Sequence, residues 1–309
     1  MPHPIRGICW TTLVSFAIAQ TLAAQEPFQL QVYSHEVALN FHVVDEQGRS
    51  ITDIAQSDLR LLDNGHPPSR ITLFVHHDHL PLRLAILFDE SESMEGAIAP
   101  RRAAQLVAET AIHDARDQAM VLRFDFETQV QQDWTGDPHL LMQAAAHVTD
   151  LNGSRMGGTA IWDSLYRACR DHMPAQSATD ATWANAILLF TDGVDNRSHA
   201  LPQDVVDECQ QRQTPIYAFV PDEKSRMNAG QKALRSIAEL TGGGVFYQQG
   251  SATNFTAAIL HIDEELRDRY TLVYRPVKLK RDNSFHGIKL ECPSRTAFFS
   301  VRSGYYATP

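Results

Sequence analysis

Leu84-Ala85-Ile86-Leu87-Phe88-Asp89-Glu90-Ser91-Glu92-Ser93 decides the reading of this 309-residue chain, and Ala186-Ile187-Leu188-Leu189-Phe190-Thr191-Asp192-Gly193 repeats its form further along. Each is a five-residue apolar run without polar alternation, closed by acidic and hydroxyl residues. Uninterrupted runs of this length suit strands buried on both faces, as in a parallel sheet. If the two strands are neighbours, their carboxyl ends deliver the polar residues to one crevice, where open α/β sheets hold ligands. A third polar string, Gly157-Gly158-Thr159, lies between them.

Outward from these runs, apolar strands alternate with helical segments. Strands read at 84–88, 119–125, 186–190, 216–220 and 245–248, with a short one at 128–132. Helices read at 98–116, 138–147, 160–172, 202–212, 230–240 and 254–268. This alternation predicts an α/β fold, a doubly wound and mostly parallel sheet with helices on both faces. Thr241-Gly242-Gly243-Gly244 stops one helix and opens the next strand.

The flanks read differently. Residues 36–44 alternate, Asp45-Glu46-Gln47-Gly48-Arg49 forms a hairpin turn, and short strands follow at 58–62 and 71–74. The chain returns to β at 270–274, 288–291 and 297–301. Neither flank is large enough for its own core, so the two are expected to pair into one small β module. The expected organisation is a signal peptide at 1–24, an N-terminal β segment at 25–80, the α/β domain at 82–268, and a C-terminal β segment at 270–309.

The leader rests on Arg6, the mostly apolar stretch from Ile8 to Leu22, and the small residues Ala23-Ala24. It is too short for a membrane anchor and has the layout of a secretory signal. The expectation is an exported protein, periplasmic or extracellular, with no transmembrane segment in the mature chain. A net charge of -10 without a dense basic tract argues against a nucleic-acid partner. The nearest such tract, Lys278-Leu279-Lys280-Arg281, reads as a solvated turn. Removing the leader removes Cys9 and leaves Cys169, Cys209 and Cys292, which allow at most one internal disulfide. Cys169 and Cys209 fall in helices, and the favoured reading for them is as small buried hydrophobes.

The candidate metal ligands are Asp89, Ser91, Ser93, Thr159 and Asp192. Hydroxyls and carboxylates are hard oxygen donors that suit a Mg²⁺-like cation and offer nothing soft. Asp89-x-Ser91-x-Ser93, Thr159 and Asp192, in this order on these strand ends, resemble the metal-ion-dependent adhesion site of von Willebrand factor A (VWFA) domains. The likeness covers residues 82–268. The flanks, Val-Val-Asp-Glu-Gln-Gly-Arg from Val43 and Arg-Ser-Gly-Tyr-Tyr-Ala from Arg302, are similar to those of exported VWFA-related proteins abundant in acidobacteria. The resemblance implies Mg²⁺ or Mn²⁺ coordinated by Ser91 and Ser93 directly, with Thr159, Asp89 and Asp192 binding directly or through water. One position would stay open for an Asp or Glu of a protein partner. Position 92 is often small in the family and is Glu92 here, beside Glu90; the reading favours both carboxylates pointing to solvent.

The implied function is an exported, cation-dependent protein-binding module without enzymatic activity. The alternatives are a metal-assisted hydrolase, with Glu90, Glu92 or Asp195 as the only nearby bases, and a structural envelope protein with an unused site. His76-His77-Asp78-His79 reads as a surface linker in preference to a Zn²⁺ or Ni²⁺ site, because adjacent histidines on an extended chain point apart. The glycines of 153–158 lack the Lys-Ser/Thr ending of a phosphate loop.

Overall fold

Six strands form the central sheet, in the order β6-β5-β4-β7-β8-β9. They are β4 (Leu82–Asp89), β5 (Gln118–Phe124), β6 (Thr128–Thr135), β7 (Ala184–Phe190), β8 (Ile216–Val220) and β9 (Gly244–Tyr247). All pairings are parallel except the β5–β6 hairpin at one edge. The computed structural model describes residues 36–91, 94, 100–150, 158–175, 182–221, 228–247, 253–280 and 282–307. The chain divides into two compact units, Met1–Ser34 and His35–Pro309, and every described residue belongs to the second. The expected leader, Glu92, Ser93, Gly157 and Arg281 lie outside the described residues.

Strand β4 explains why its sequence is apolar throughout. Leu82, Leu84, Ile86 and Phe88 enter one core with α1 (Pro100–Thr110), α2 (Pro138–Asp150) and α6 (Thr253–Arg267). Ala85 and Leu87 enter the other with α3 (Ile161–Arg167), α4 (Pro202–Gln211) and α5 (Ala229–Thr241). The sheet is therefore covered on both faces, as expected for a doubly wound fold. On the α1 face, Phe88, Phe190, Phe219 and Phe246 stack across four neighbouring strands at centroid spacings of 5.1, 4.8 and 5.5 Å. Phe255 of α6 meets Phe219 edge-on.

Helix α1 ends at Thr110, well short of the expected 116. The cause is Asp117, whose carboxylate draws the backbone N–H groups of His113, Asp114 and Leu82 to itself. It also receives both terminal nitrogens of Arg267, at 3.0 and 2.7 Å. A helix continued through 113–114 would forfeit these bonds. Cys169 and Cys209, expected as small hydrophobes, are joined in a disulfide that ties the π turn Ala168–His172 after α3 to α4. Cys292 is the free cysteine among the described residues.

The flanks do pair, but as two sheets. One has the order β12-β1-β10-β3 and the other β13-β11-β2. The strands are β1 (Val37–Val44), β2 (Arg60–Asp63), β3 (Arg70–His77), β10 (Arg269–Arg275), β11 (Phe285–Glu291), β12 (Phe298–Val301) and β13 (Gly304–Tyr306). Both sheets bury one core, including Phe41, Leu61, Tyr270, Tyr274, Leu290 and Tyr305. His76 and His77, read as linker, are the last residues of β3. His76 Nε2 meets Asp268 at 2.5 Å and His77 Nε2 meets the Thr271 hydroxyl at 3.0 Å. Among the described residues no group of three His, Cys, Asp or Glu side chains is placed to hold a metal.

Candidate metal centre

Strand β4 lies between β5 and β7, so the chain leaves its carboxyl end at the point where strand order reverses. That is where an open sheet leaves a crevice. The β4–β7 register pairs Phe88 with Phe190, which sets Asp89 beside Thr191. The Thr191 hydroxyl donates to Asp89 Oδ2 at 2.6 Å, and the Ser91 amide donates to Oδ1 at 2.9 Å. Asp89 is only 5% exposed. Burial pushes its carboxyl up to about 6, opposed by the bonds from Thr191 and Ser91 and reinforced by the charge of Asp192. A buried carboxylate answered by hydroxyls and an amide, without a cationic side chain among the described residues, has a deficit that a cation removes.

Thr159 arrives from the other direction. Its N–H donates to Asn196 Oδ1 at 2.8 Å, and its carbonyl accepts from the Asn196 and Arg197 amides at 3.0 and 3.1 Å. Gly158 makes this docking possible. Its φ is +85°, and a Cβ there would stand 2.2 Å from Asn196 Oδ1. Thr159 is itself buried, so these backbone bonds fix its position beside the loop. Asp192 uses Oδ1 to accept from the Val194 amide at 2.9 Å. Its carbonyl accepts from Gln231 Nε2 at 3.3 Å, and Gln231 belongs to the capping box that starts α5. The loop 191–198 is thus fastened to Asp89 on one side and Thr159 on the other. Of the five expected ligands, Asp89, Ser91, Thr159 and Asp192 stand around this crevice, and Ser93 lies outside the described residues.

Two nearby acids have other partners. Glu90, expected to face solvent, meets Arg123 Nη1 on β5 at 2.5 Å. Its charge is therefore countered within the fold. Asp195 Oδ2 accepts from the Trp162 amide at 3.2 Å and the Ser198 hydroxyl at 2.5 Å. It caps α3, whose own N-cap residue Ala160 has no side chain to do so. Thr191 and Asn196 were not among the expected site residues. Thr191 stands in the quoted Thr-Asp-Gly string, but its bond to Asp89 depends on strand neighbours 102 residues apart.

The open parallel sheet, with hard oxygen donors at its switch point, defines an α/β protein of the ligand-binding crevice class. The family model for the von Willebrand factor type A domain matches residues 84–262. That span is more than half of the chain, and the chain belongs to this family. No curated protein matches the chain. Similar solved structures include proximal thread matrix protein 1 of the mussel byssus, at 15% identity and TM-score 0.46, covering 62% of this chain and 49% of that one. BatB from Bacteroides thetaiotaomicron is 17% identical with TM-score 0.45, covering 59% and 98%. A von Willebrand factor type A protein from Catenulispora acidiphila is 15% identical with TM-score 0.45, covering 81% and 72%. The chain spans about half the length of the mussel protein. At these identities and scores, no functional residue of those proteins transfers to this chain.

Proposed function

We propose that this protein is an exported, cation-dependent protein-binding module. Asp89, Ser91, Ser93, Thr159 and Asp192 would hold Mg²⁺ or Mn²⁺, and the bound ion supplies Lewis-acid attraction for an Asp or Glu of a partner protein. The observation that carries the reading is Asp89: a buried carboxylate met by Thr191 and Ser91 and, among the described residues, by no cationic side chain. Arg123 supports the choice of an acidic partner, since it counters Glu90 at the rim. Calorimetric titration of Mg²⁺ and Mn²⁺ into wild type and Ser91→Ala/Ser93→Ala tests the ligand set. Saturable binding in wild type alone is expected, and indistinguishable isotherms overturn it. A pull-down from envelope extract in Mg²⁺ against EDTA then tests the partner, which should be retained only with the ion.

Export rests on the leader at 1–24 together with the Cys169–Cys209 disulfide, which belongs to an oxidising compartment. Among the described residues no helix is long and apolar enough to cross a membrane. N-terminal sequencing of the protein from fractionated cells should find the chain beginning at Ala24 or Gln25 outside the cytoplasm. Intact Met1 in the cytoplasmic fraction would end the export reading.

A further inference from the structure

Lysine is rare here. The chain has five, and Lys278, Lys280 and Lys289 fall within one short stretch. Lys278 and Lys280 are exposed on the β10–β11 loop, where they border a recess of about 220 Å³ with Asn64, His66, Ser284 and His286. The recess lies between that loop and the β2–β3 turn, in the small β module and far along the chain from the donors at 89–192.

His286 is 5% exposed. Its Nδ1 meets Asp63 Oδ1 at 2.7 Å. Asp63 Oδ2 accepts from the hydroxyls of Tyr274 and Tyr305, at 2.7 and 2.8 Å. These bonds join β2, β10, β11 and β13, and they clasp the two sheets together. The clasp accounts for Asp63, both tyrosines and one nitrogen of His286. It leaves Nε2 without a hydrogen-bond partner among the described residues, on a ring that lines the recess together with Lys278 and Lys280.

With Nδ1 turned to the Asp63 carboxylate, Nε2 is the ring nitrogen left for a ligand, an acceptor in the neutral imidazole and a donor in the imidazolium. Asp63 is occupied by three donors of the fold and presents little to an incoming group. Lys278 and Lys280 bring positive charge to the mouth, with Asp282 beside Lys280 and Asp63 in the lining as the nearby carboxylates, in a chain whose net charge is -10. Lysine serves as a point charge for phosphate, and charge-assisted bonds to oxyanions are the strong ones.

We propose that this recess binds a phosphate-type oxyanion, which hydrogen-bonds His286 Nε2 and is held at the mouth by Lys278 and Lys280. The group would belong to a soluble phosphoester or to a lipid headgroup.

The test is an NMR titration of the full chain with inorganic phosphate in EDTA, which keeps the metal crevice out of the measurement, following the His286 ring resonances. A saturable shift is expected. Lys278→Ala/Lys280→Ala changes exposed side chains only, and should weaken binding roughly tenfold with the melting temperature unchanged. His286→Gln should remove the binding. Vesicles of phosphatidylglycerol, against phosphatidylcholine, separate the two sources. Co-sedimentation lost in the double lysine variant assigns a lipid headgroup, and phosphate binding without co-sedimentation assigns a soluble phosphoester. Absence of a saturable His286 shift, or unchanged phosphate affinity in the double lysine variant, overturns the proposal.

Discussion

Asp89 and Asp117 sit at opposite ends of the β4–β5 strand pair, both buried, and they are treated in opposite ways. Asp117 is 1% exposed and accepts from three backbone amides and the two terminal nitrogens of Arg267. Arg267 is itself filled, with further bonds to Asp263 and to the carbonyls of Leu80 and Ala111. Burial pushes the Asp117 carboxyl up, but the guanidinium and the amides outweigh it and hold it below the usual range. Asp89 meets no guanidinium among the described residues, has Asp192 nearby, and is pushed up to about 6 by burial. The fold thus completes one carboxylate and leaves the other short of positive charge. Asp117 carries its partner within the chain, while on the proposed function Asp89 would receive its own from a bound cation.

The contrast can be broken by experiment. Arg267→Met should cost about 3–5 kcal/mol in urea unfolding, because it leaves a buried carboxylate uncompensated. A loss under about 1 kcal/mol would mean that Asp117 does not depend on its partner. Cys169→Ala/Cys209→Ala, which opens a loop closed across 40 residues, should cost about 2–4 kcal/mol. Both carboxylates keep their partners in that variant, so the shape of its stability against pH should match wild type.

That shape has two limbs in EDTA. Asp117, held low, contributes stability that is present above the unfolded value and lost as pH falls through the folded one. Asp89, raised from 3.8 to about 6, contributes stability present at low pH and lost as pH rises through about 6, on the order of 3 kcal/mol. Urea unfolding from about pH 3 to about pH 7 should show the acid limb flattened in Asp117→Asn and the upper limb flattened in Asp89→Asn. Asp89→Asn should also abolish any rise in melting temperature on adding Mg²⁺. If Mg²⁺ stabilises that variant as it does wild type, the cation binds elsewhere. The smallest effect is expected from Thr191→Val, about 1 kcal/mol, with weakened Mg²⁺ affinity in calorimetry.

The sequence made the central architecture legible because β4 and β7 are buried on both faces. Their apolar runs end where the strands end, and the polar residues after them fall at the crevice. What stayed hidden depended on neighbours distant in sequence. Glu90 reads as a solvent carboxylate until β5 places Arg123 beside it. Asp117 shortens α1 through an arginine 150 residues away. Cys169 and Cys209 occupy apolar helix faces, where burial gives the same pattern for a thiol and a disulfide. Asp195 could be proposed as a base because nothing local shows that α3 lacks its own cap. Thr191 was in view throughout, but only strand order assigns it to Asp89.

The four stacked phenyl rings give the crevice a gauge. Phe88 and Phe190 immediately precede Asp89 and Thr191, and their 5.1 Å spacing lies close to the separation of neighbouring strands. A change in crevice width at the β4–β7 seam therefore has to pass through those rings. Ring-current shifts and ring-flip rates at Phe88, Phe190 and Phe219 would register it from inside the core. A spectroscopist could follow the mouth of the site through residues that never touch its occupant.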